Sequence, residues 1–331
     1  MTYMRFPFYL FINLLTLTLP IHPSLCTTMI QAHNEWIDGM CLSHDNSTII
    51  TAARDSMIKT WDTQSGAGLQ SMYGHSDWIY AVCTSMNDRT VFSGSDSCIK
   101  MWDIYSGACM GTLTDQPGPI YSLCVSPDDQ YLYSGNGRGT IVQWDIQEGY
   151  AKHTFKGHNT SIRSLALTPD SNYLISASND RQLKIWDINK GICIATLGDD
   201  FIAAMLATCV NRDGTRVYCG TSDGDLGVYD LKSNKLLARN RTHLISINAI
   251  CLTPDDRILI TGSNNQTVDL WDAQTLKHII ALKGHENWVR NVSVTQDGKK
   301  VISAAFDGTI RIWNIAGICW FWFYLISLFG L

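Results

Sequence analysis

Short runs in which apolar and polar residues alternate follow one another along this chain, separated by turn-forming residues. Residues 158–196 show one complete unit. The run 161–168 (SIRSLALT) has the period of a half-buried strand, and Pro169-Asp170-Ser171-Asn172 after it carries turn chemistry. Two further runs, 173–177 (YLISA) and 183–187 (LKIWD), flank the turn Ser178-Asn179-Asp180-Arg181. A last run, 192–197 (ICIATL), completes four short antiparallel strands joined by tight turns. Helical periodicity is nowhere sustained in the body of the chain, which excludes a solenoid of helices.

The unit recurs. Trp61, Trp102, Trp144, Trp186, Tyr229, Trp271 and Trp313 follow one another at near-constant intervals, and Asp or Asn comes directly after each. Turn residues keep step with them. Asp45, Asp128, Asp170, Asp213, Asp255 and Asp297 each stand at the sixteenth position before their aromatic. Asn87 stands at the fifteenth before Trp102, because that repeat is shorter in its next hairpin. A fixed period near forty residues means one supersecondary unit copied along the chain. A single four-stranded sheet leaves two faces and two edges uncovered, whereas seven packed around an axis bury the faces. The expected fold is therefore all-β, a seven-bladed β-propeller of four-stranded antiparallel blades over residues 24–316. Residues 25–30 (LCTTMI) align with the outer strands at 192–197 and 279–282, so an N-terminal outer strand is expected to close the ring. Residues 318–323 are a rival for the same position, and only one segment can fill it.

A His near the twenty-eighth position before Trp-Asp, usually after Gly, with a Ser/Thr-x-x-x-Asp turn between, resembles the WD-repeat family. The resemblance spans nearly the whole chain apart from its two ends and identifies no subfamily. It implies that the His, Ser/Thr, Asp and Trp of each repeat form a buried hydrogen-bond chain tying the inter-blade loop to a hairpin turn. Carried over, the complete sets are His33, Thr51, Asp55 and Trp61; His158, Ser176, Asp180 and Trp186; and His285, Ser303, Asp307 and Trp313. The second repeat supplies His75, Asp96 and Trp102, with Ser93 one residue closer than usual to its Asp. The sixth has His243, Thr261 and Trp271 but Asn265 in the Asp slot. The third has Arg138 for Asp and no Gly-His, and the fifth has Cys219 and Tyr229 for Ser/Thr and Trp. More mobile inter-blade loops are expected at 114–120 and 198–203.

Composition changes this picture little. The 45% apolar content is ample for a core, and a net charge of −5 gives no electrostatic case for nucleic acid. Among the cysteines, Cys41, Cys124, Cys209 and Cys251 occupy the twentieth position before their aromatic and Cys83 the nineteenth, where Ala166 and Ser293 stand in other repeats. The slot takes small residues, so these cysteines read as buried hydrophobes and not as disulfides or metal ligands. The ends differ. Residues 1–23 include an uncharged stretch, 6–21, resembling a signal-peptide core or a short anchor, and 317–331 form an apolar tail. With 315 and 316, that tail is about 17 residues, the short limit of a membrane-spanning helix. Flanking sequence outside the functional protein is the alternative for both ends. N-x-S/T sequons at Asn46, Asn159, Asn240, Asn265 and Asn291 fall largely in strands or tight turns and support secretion weakly. The expected location is the cytoplasm, or a membrane or the secretory route if the apolar ends are genuine.

Ser, His and Asp together also invite a hydrolase reading, but the set repeats at fixed spacing and no G-x-S-x-G elbow accompanies it. Gly135-Asn-Gly-Arg-Gly139 lacks the following helix that a phosphate cradle needs. No catalytic residue, cofactor or metal is expected. The family resemblance implies a non-catalytic scaffold or adaptor, binding a protein or peptide partner on the loop face, as a single ring or as a subunit of a larger complex. The alternative is a membrane-tethered or secreted propeller with an extracytoplasmic partner, and a remote one is an enzyme using the central pocket. At the third position after the His-bearing dipeptide's His stand Trp36, Trp78 and Trp288, and nearby are Tyr80, Arg290, Arg54 and Phe306. Ring closure makes repeats seven, one and two neighbours, so these seven residues are the candidate partner-binding patch.

Overall fold

The computed structural model describes residues 25–242 and 245–318. Its strands, β1 to β28 in chain order, form seven four-stranded antiparallel sheets. Six sheets use four consecutive strands. The first of these, blade 1, has β2 (Ile37–Leu42), β3 (Thr48–Ala53), β4 (Ile58–Asp62) and β5 (Gly68–Met72) from inside to outside. Blades 2 to 6 repeat this order.

Blade 7 is composite. Its inner three strands are β26 (Val289–Val294), β27 (Lys300–Ala305) and β28 (Thr309–Asn314), and its outer strand is β1 (Cys26–Gln31). β1 pairs antiparallel with β28, Ile30 opposite Ile310 and Thr28 opposite Ile312. The N-terminal strand thus closes the ring. The rival at 318–323 does not take that edge within the described residues: 316–318 turn helically and Ile318 packs on the core beneath. Residues 319–323 and the leader 1–23 lie outside the described residues.

The core is a set of wedges between neighbouring blades. Between blades 7 and 1, Ile30, Ile302, Ile310 and Ile312 meet Ile37, Ile49 and Ala53. Comparable clusters fill the other interfaces, as where Tyr218, Leu226 and Val228 of blade 5 meet Ile250, Leu259 and Trp271 of blade 6. Burying each aliphatic side chain stabilises by about 1.5–3 kcal/mol, so the stability of a blade depends on its neighbours. The repeat-slot cysteines lie in these seams as partly buried thiols, and no disulfide is present among the described residues.

Polar ties reinforce the seams. On the face away from the inter-blade loops, Asp88 of blade 2 accepts the backbone N–H groups of His44 and Asp45 in blade 1. Asp129 of blade 3 does the same for Met86 and Asn87 of blade 2. At the closing seam Asn46 accepts from the N–H of Gln296, and Gln296 Nε2 donates to the carbonyl of His44. Asn46, Asp88 and Asp129 all adopt positive φ. This is the conformation in which Asn and Asp are the most tolerated non-glycine residues. Sequon residues are engaged too: Asn291 Nδ2 donates to the carbonyl of Asp38 and Asn240 Nδ2 to that of Leu276.

In two blades a hairpin turn approaches the adjoining backbone too closely for a side chain. Gly308, between β27 and β28, has φ +73° and its carbonyl accepts from the N–H groups of Ala32 and His33. A Cβ there would lie 2.3 Å from the carbonyl oxygen of His33. Gly139 is its counterpart in blade 3, with φ +79° and 2.5 Å to the carbonyl oxygen of His158.

Candidate functional site

In blades 1, 4 and 7 the inter-blade loop is pinned to the hairpin turn of its own blade by a full hydrogen-bond chain. In blade 4, Trp186 Nε1–H donates to Ser176 Oγ (2.8 Å), which is 2.6 Å from His158 Nε2. His158 Nδ1 is 2.8 Å from Asp180. The same chain links Trp61, Thr51, His33 and Asp55, and Trp313, Ser303, His285 and Asp307. Burial lowers the pKa of His158 and favours a neutral ring. Nδ1–H then donates to the carboxylate and Nε2 accepts from the serine hydroxyl, a tautomer assigned from the network. Burial alone would raise the carboxyls of Asp55, Asp180 and Asp307. The facing imidazoles, backbone N–H groups and, at Asp307, the Thr309 hydroxyl together outweigh it and hold all three below the ordinary range.

Blade 2 departs from the expected set. Trp102, Ser93 and His75 are linked as elsewhere, but Asp96 is not joined to His75. It accepts instead from the Tyr80 hydroxyl at 3.1 Å. The shortened hairpin is the reason: with one residue fewer after Ser93, Cys98 Sγ comes to face His75 Nδ1 at 3.9 Å. Deprived of a carboxylate, the His75 imidazole is pushed down to about 4 by burial, with Lys100 adding to the effect.

Blades 3 and 5 replace the His by means that residue-type matching missed. Gln116 stands at the twenty-eighth position before Trp144, the slot that His occupies in complete repeats. It accepts from the Ser134 hydroxyl and donates to the carbonyls of Ser134 and Thr140. The expected loosening at 114–120 rests on a missing tie, and Gln116 supplies one. Phe201 holds the same slot before Tyr229 and buries its ring beside it, centroids 6.3 Å apart, against Cys219 and Gly227. In blade 6, Trp271 Nε1–H donates to Thr261 and Asn265 accepts from Thr267, while His243 lies outside the described residues.

A second seven-fold feature had no signal in residue type. The second residue of every innermost strand is a β-bulge, with the register shifting across it. These residues are Asp38, Tyr80, Tyr121, Arg163, Leu206, Asn248 and Arg290. A bulge re-aims its side chain out of the alternating pattern. All seven line a cavity of about 420 Å³ on the ring axis.

Of the candidate patch, Arg54, Trp78, Tyr80 and Arg290 line that cavity, and Trp36, Trp288 and Phe306 adjoin them. Trp36 stacks on Phe306 with centroids 4.3 Å apart, and Trp288 stacks on the same ring at 5.7 Å. The Arg54 guanidinium lies between Trp36 and Trp78, 4.3 and 4.5 Å from their rings, and Arg290 sits 5.3 Å from Phe306. Backbone bonds set this arrangement: Arg54 N–H donates to the carbonyl of Trp36, and Phe306 N–H to that of Trp288. Arg54 Nε also donates to buried Asp38 at 2.7 Å. Trp36, Trp78 and Trp288 remain 40%, 48% and 44% exposed. Tyr80 packs edge-on against Tyr121 (5.1 Å), towards the channel and away from the stack.

The family model described as "WD domain, G-beta repeat" matches residues 24–62, 66–103, 107–145, 149–187, 234–272 and 276–314, well over half the chain. The chain belongs to the WD-repeat family. Each matched segment runs from an outer strand to the next Trp-Asp or Trp-Asn, so a WD repeat in sequence straddles two blades in space. Blade 5 forms its sheet although no segment between 187 and 234 is matched, as Phe201, Cys219 and Tyr229 explain. Individual WD-repeat relatives match over short stretches. Mitochondrial division protein 1 of Schizosaccharomyces pombe is 38% identical over 65 residues, 20% of this chain and 10% of that protein. Autophagy-related protein 16 of Arabidopsis thaliana is 27% identical over 73 residues, 22% and 14% of the two chains. Protein TOPLESS-RELATED PROTEIN 2 of Oryza sativa subsp. japonica is 35% identical over 65 residues, 19% and 6%. The aligned segments thus span a seventh or less of these relatives.

The Ser–His–Asp geometry of a WD repeat imitates a hydrolytic triad in its distances. It differs in access. Ser176 and Ser303 are wholly buried, and each hydroxyl already takes a tryptophan N–H as well as the histidine. No substrate carbonyl can reach them in this arrangement. Among the described residues no group of three or more His, Cys, Asp or Glu is placed to hold a metal, and no helix is long and apolar enough to cross a membrane.

Proposed function

We propose that this WD-repeat chain is a non-catalytic scaffold that holds a peptide or protein partner on its inter-blade-loop face, over blades 7, 1 and 2. One observation carries the reading: the continuous stack Trp288–Phe306–Trp36–Arg54–Trp78, in which three tryptophans keep 40–48% of their surface exposed. Trp and Arg supply most binding hot spots because they offer large, stiff, amphipathic surfaces. Here neighbouring rings fix their orientation, so little side-chain entropy remains to be lost on binding. Phe306 and Asp38, 7% exposed each, anchor the stack from below.

The three relatives bear names drawn from organelle division, autophagy and a plant protein group, and none names an enzyme. That spread fits a module recruited for binding in different settings, and the partner of this chain is its own. The test is affinity capture with the full chain and with a Trp36→Ala, Trp288→Ala double variant of unchanged melting temperature. A set of stoichiometric partners lost on double substitution supports the proposal. An identical set recovered by both proteins refutes it.

A further inference from the structure

Of the side chains lining the axial cavity, four are charged: Arg54, Arg163, Arg290 and Asp38. Asp96, held by the Tyr80 hydroxyl, is not among the lining residues. Three cations therefore face one carboxylate, and that carboxylate is already bonded to Arg54. Arg290 Nε is buried without a hydrogen-bond partner, stopping 3.8 Å from Asp38. The Arg163 guanidinium rests 4.6 Å from the Tyr121 ring. Burial and repulsion from Arg163 press the Arg290 guanidinium down to about 10, and burial lowers Arg163 as well. Arg290 shares the Asp38 carboxylate with Arg54, and Arg163 has no carboxylate within ion-pair distance among the described residues, so the cluster is only partly compensated. Uncompensated buried charge of this kind makes the cavity a candidate anion site.

We infer that the axial cavity receives a phosphorylated side chain of the partner peptide, with Arg163 and Arg290 donating to its phosphoryl oxygens and Asp38 holding Arg54 beside them. The charge excess selects the ligand. A phosphomonoester carries about −1.5 to −2 at neutral pH, matching a surplus of two positive charges, whereas a carboxylate or a nucleic-acid phosphodiester carries −1. Planar guanidinium forks also suit phosphoryl oxygens in pairs. Trp78 at the cavity wall and the neighbouring Trp36 and Trp288 would hold the peptide around that side chain. In that respect the inference rests on the docking sector proposed above.

The experiment passes the full chain over three immobilised degenerate peptide libraries that differ only in a fixed central phosphoserine, serine or glutamate. Retention on the phosphoserine library should exceed that on serine by about tenfold or more, with glutamate between. Arg163→Gln and Arg290→Gln should each reduce that preference about tenfold while melting temperature is unchanged or raised. Arg163 stacks only on Tyr121, so Arg163→Gln decides the matter if the Arg290 variant fails to fold. Equal retention on phosphoserine and serine, absence of retention on any library, or a preference surviving both substitutions overturns the inference. Stabilisation by inorganic phosphate alone, without library preference, also overturns it and assigns the cavity to a free anion. The Trp36→Ala, Trp288→Ala variant separates the two proposals. Loss of retention on all libraries alike, with no phosphoserine preference in the parent, leaves the docking sector standing and removes the phosphate site. Phosphoserine preference that needs the arginines but not the tryptophans does the reverse.

Discussion

His75 makes blade 2 an acid-sensitive point of the ring. Its imidazole is 8% exposed, has no carboxylate partner and titrates near 4, against an ordinary value of 6.5. A histidine depressed in the folded state binds fewer protons there than in the unfolded chain between those two values. Stability therefore falls as pH drops through that window and is fully present above it. A one-unit shift corresponds to about 1.4 kcal/mol, so the cost is about 2 kcal/mol at pH 5 and about 3 kcal/mol below pH 4. Blade 3 supplies the perturbation that isolates this effect, because Gln116 performs the same tie without a titrating group. His75→Gln is expected to sit within about 1 kcal/mol of the parent at pH 7.5, and to exceed the parent by about 1–2 kcal/mol at pH 5. Urea unfolding of both proteins, followed by tryptophan fluorescence at pH 7.5, 6 and 5, measures the difference. The carboxylates common to both cancel. If the two stabilities decline in parallel, His75 is not the depressed group and the reasoning fails.

Other consequences of the structure are open to measurement. Ser303→Ala strands both the Trp313 N–H and His285 Nε2, and should cost about 1–3 kcal/mol in urea unfolding, whereas a change under about 0.5 kcal/mol would mean that water replaces the hydroxyl. Gly308→Ala combines positive φ with a carbonyl at 2.3 Å, and should lower stability by at least about 1–3 kcal/mol. A neutral outcome would show that the turn yields easily. Exposed Cys109 and Cys193 should react with a thiol reagent in the native protein. Burial pushes the Cys124, Cys219 and Cys251 thiols up to about 12, so these should label only on unfolding, and prompt native labelling would contradict the packing. Deleting 319–331 should leave cooperative unfolding intact, since β1 already fills the outer edge of blade 7.

Much of this was legible in the sequence for a physical reason. Trp61, Trp144, Trp186, Trp271 and Trp313 each reach a hydroxyl at the tenth position before them, and Trp102 one at the ninth, so their spacing is a constraint on the fold and survives drift elsewhere. The closing strand was visible because 25–30 aligns with outer strands and not with inner ones. Gln116 and Phe201 are invisible to a histidine pattern, whereas the fixed distance of their slot from the aromatic marks both. Asp96 was misassigned because a one-residue deletion changes which side chain faces His75. The bulges left no trace, since a register shift depends on backbone pairing and not on residue identity. Arg163 and Arg290 share the fifth position after the His slot, but only the bulge on each inner strand shows that both turn into one cavity.

The pairing of β1 with β28 has a temporal consequence. A strand that ends at Gln31 completes its sheet only after Thr309 has been synthesised. At about 5–20 residues per second this leaves β1 unpaired for roughly 15 to 60 s on the ribosome. During that interval its open edge can join a strand of another nascent chain. Blades 1 to 6 can assemble in order of synthesis, but the seal is made last, between the first strand of the ring and its final one. A ribosome that stalls late would release a nearly complete ring with both halves of its clasp exposed.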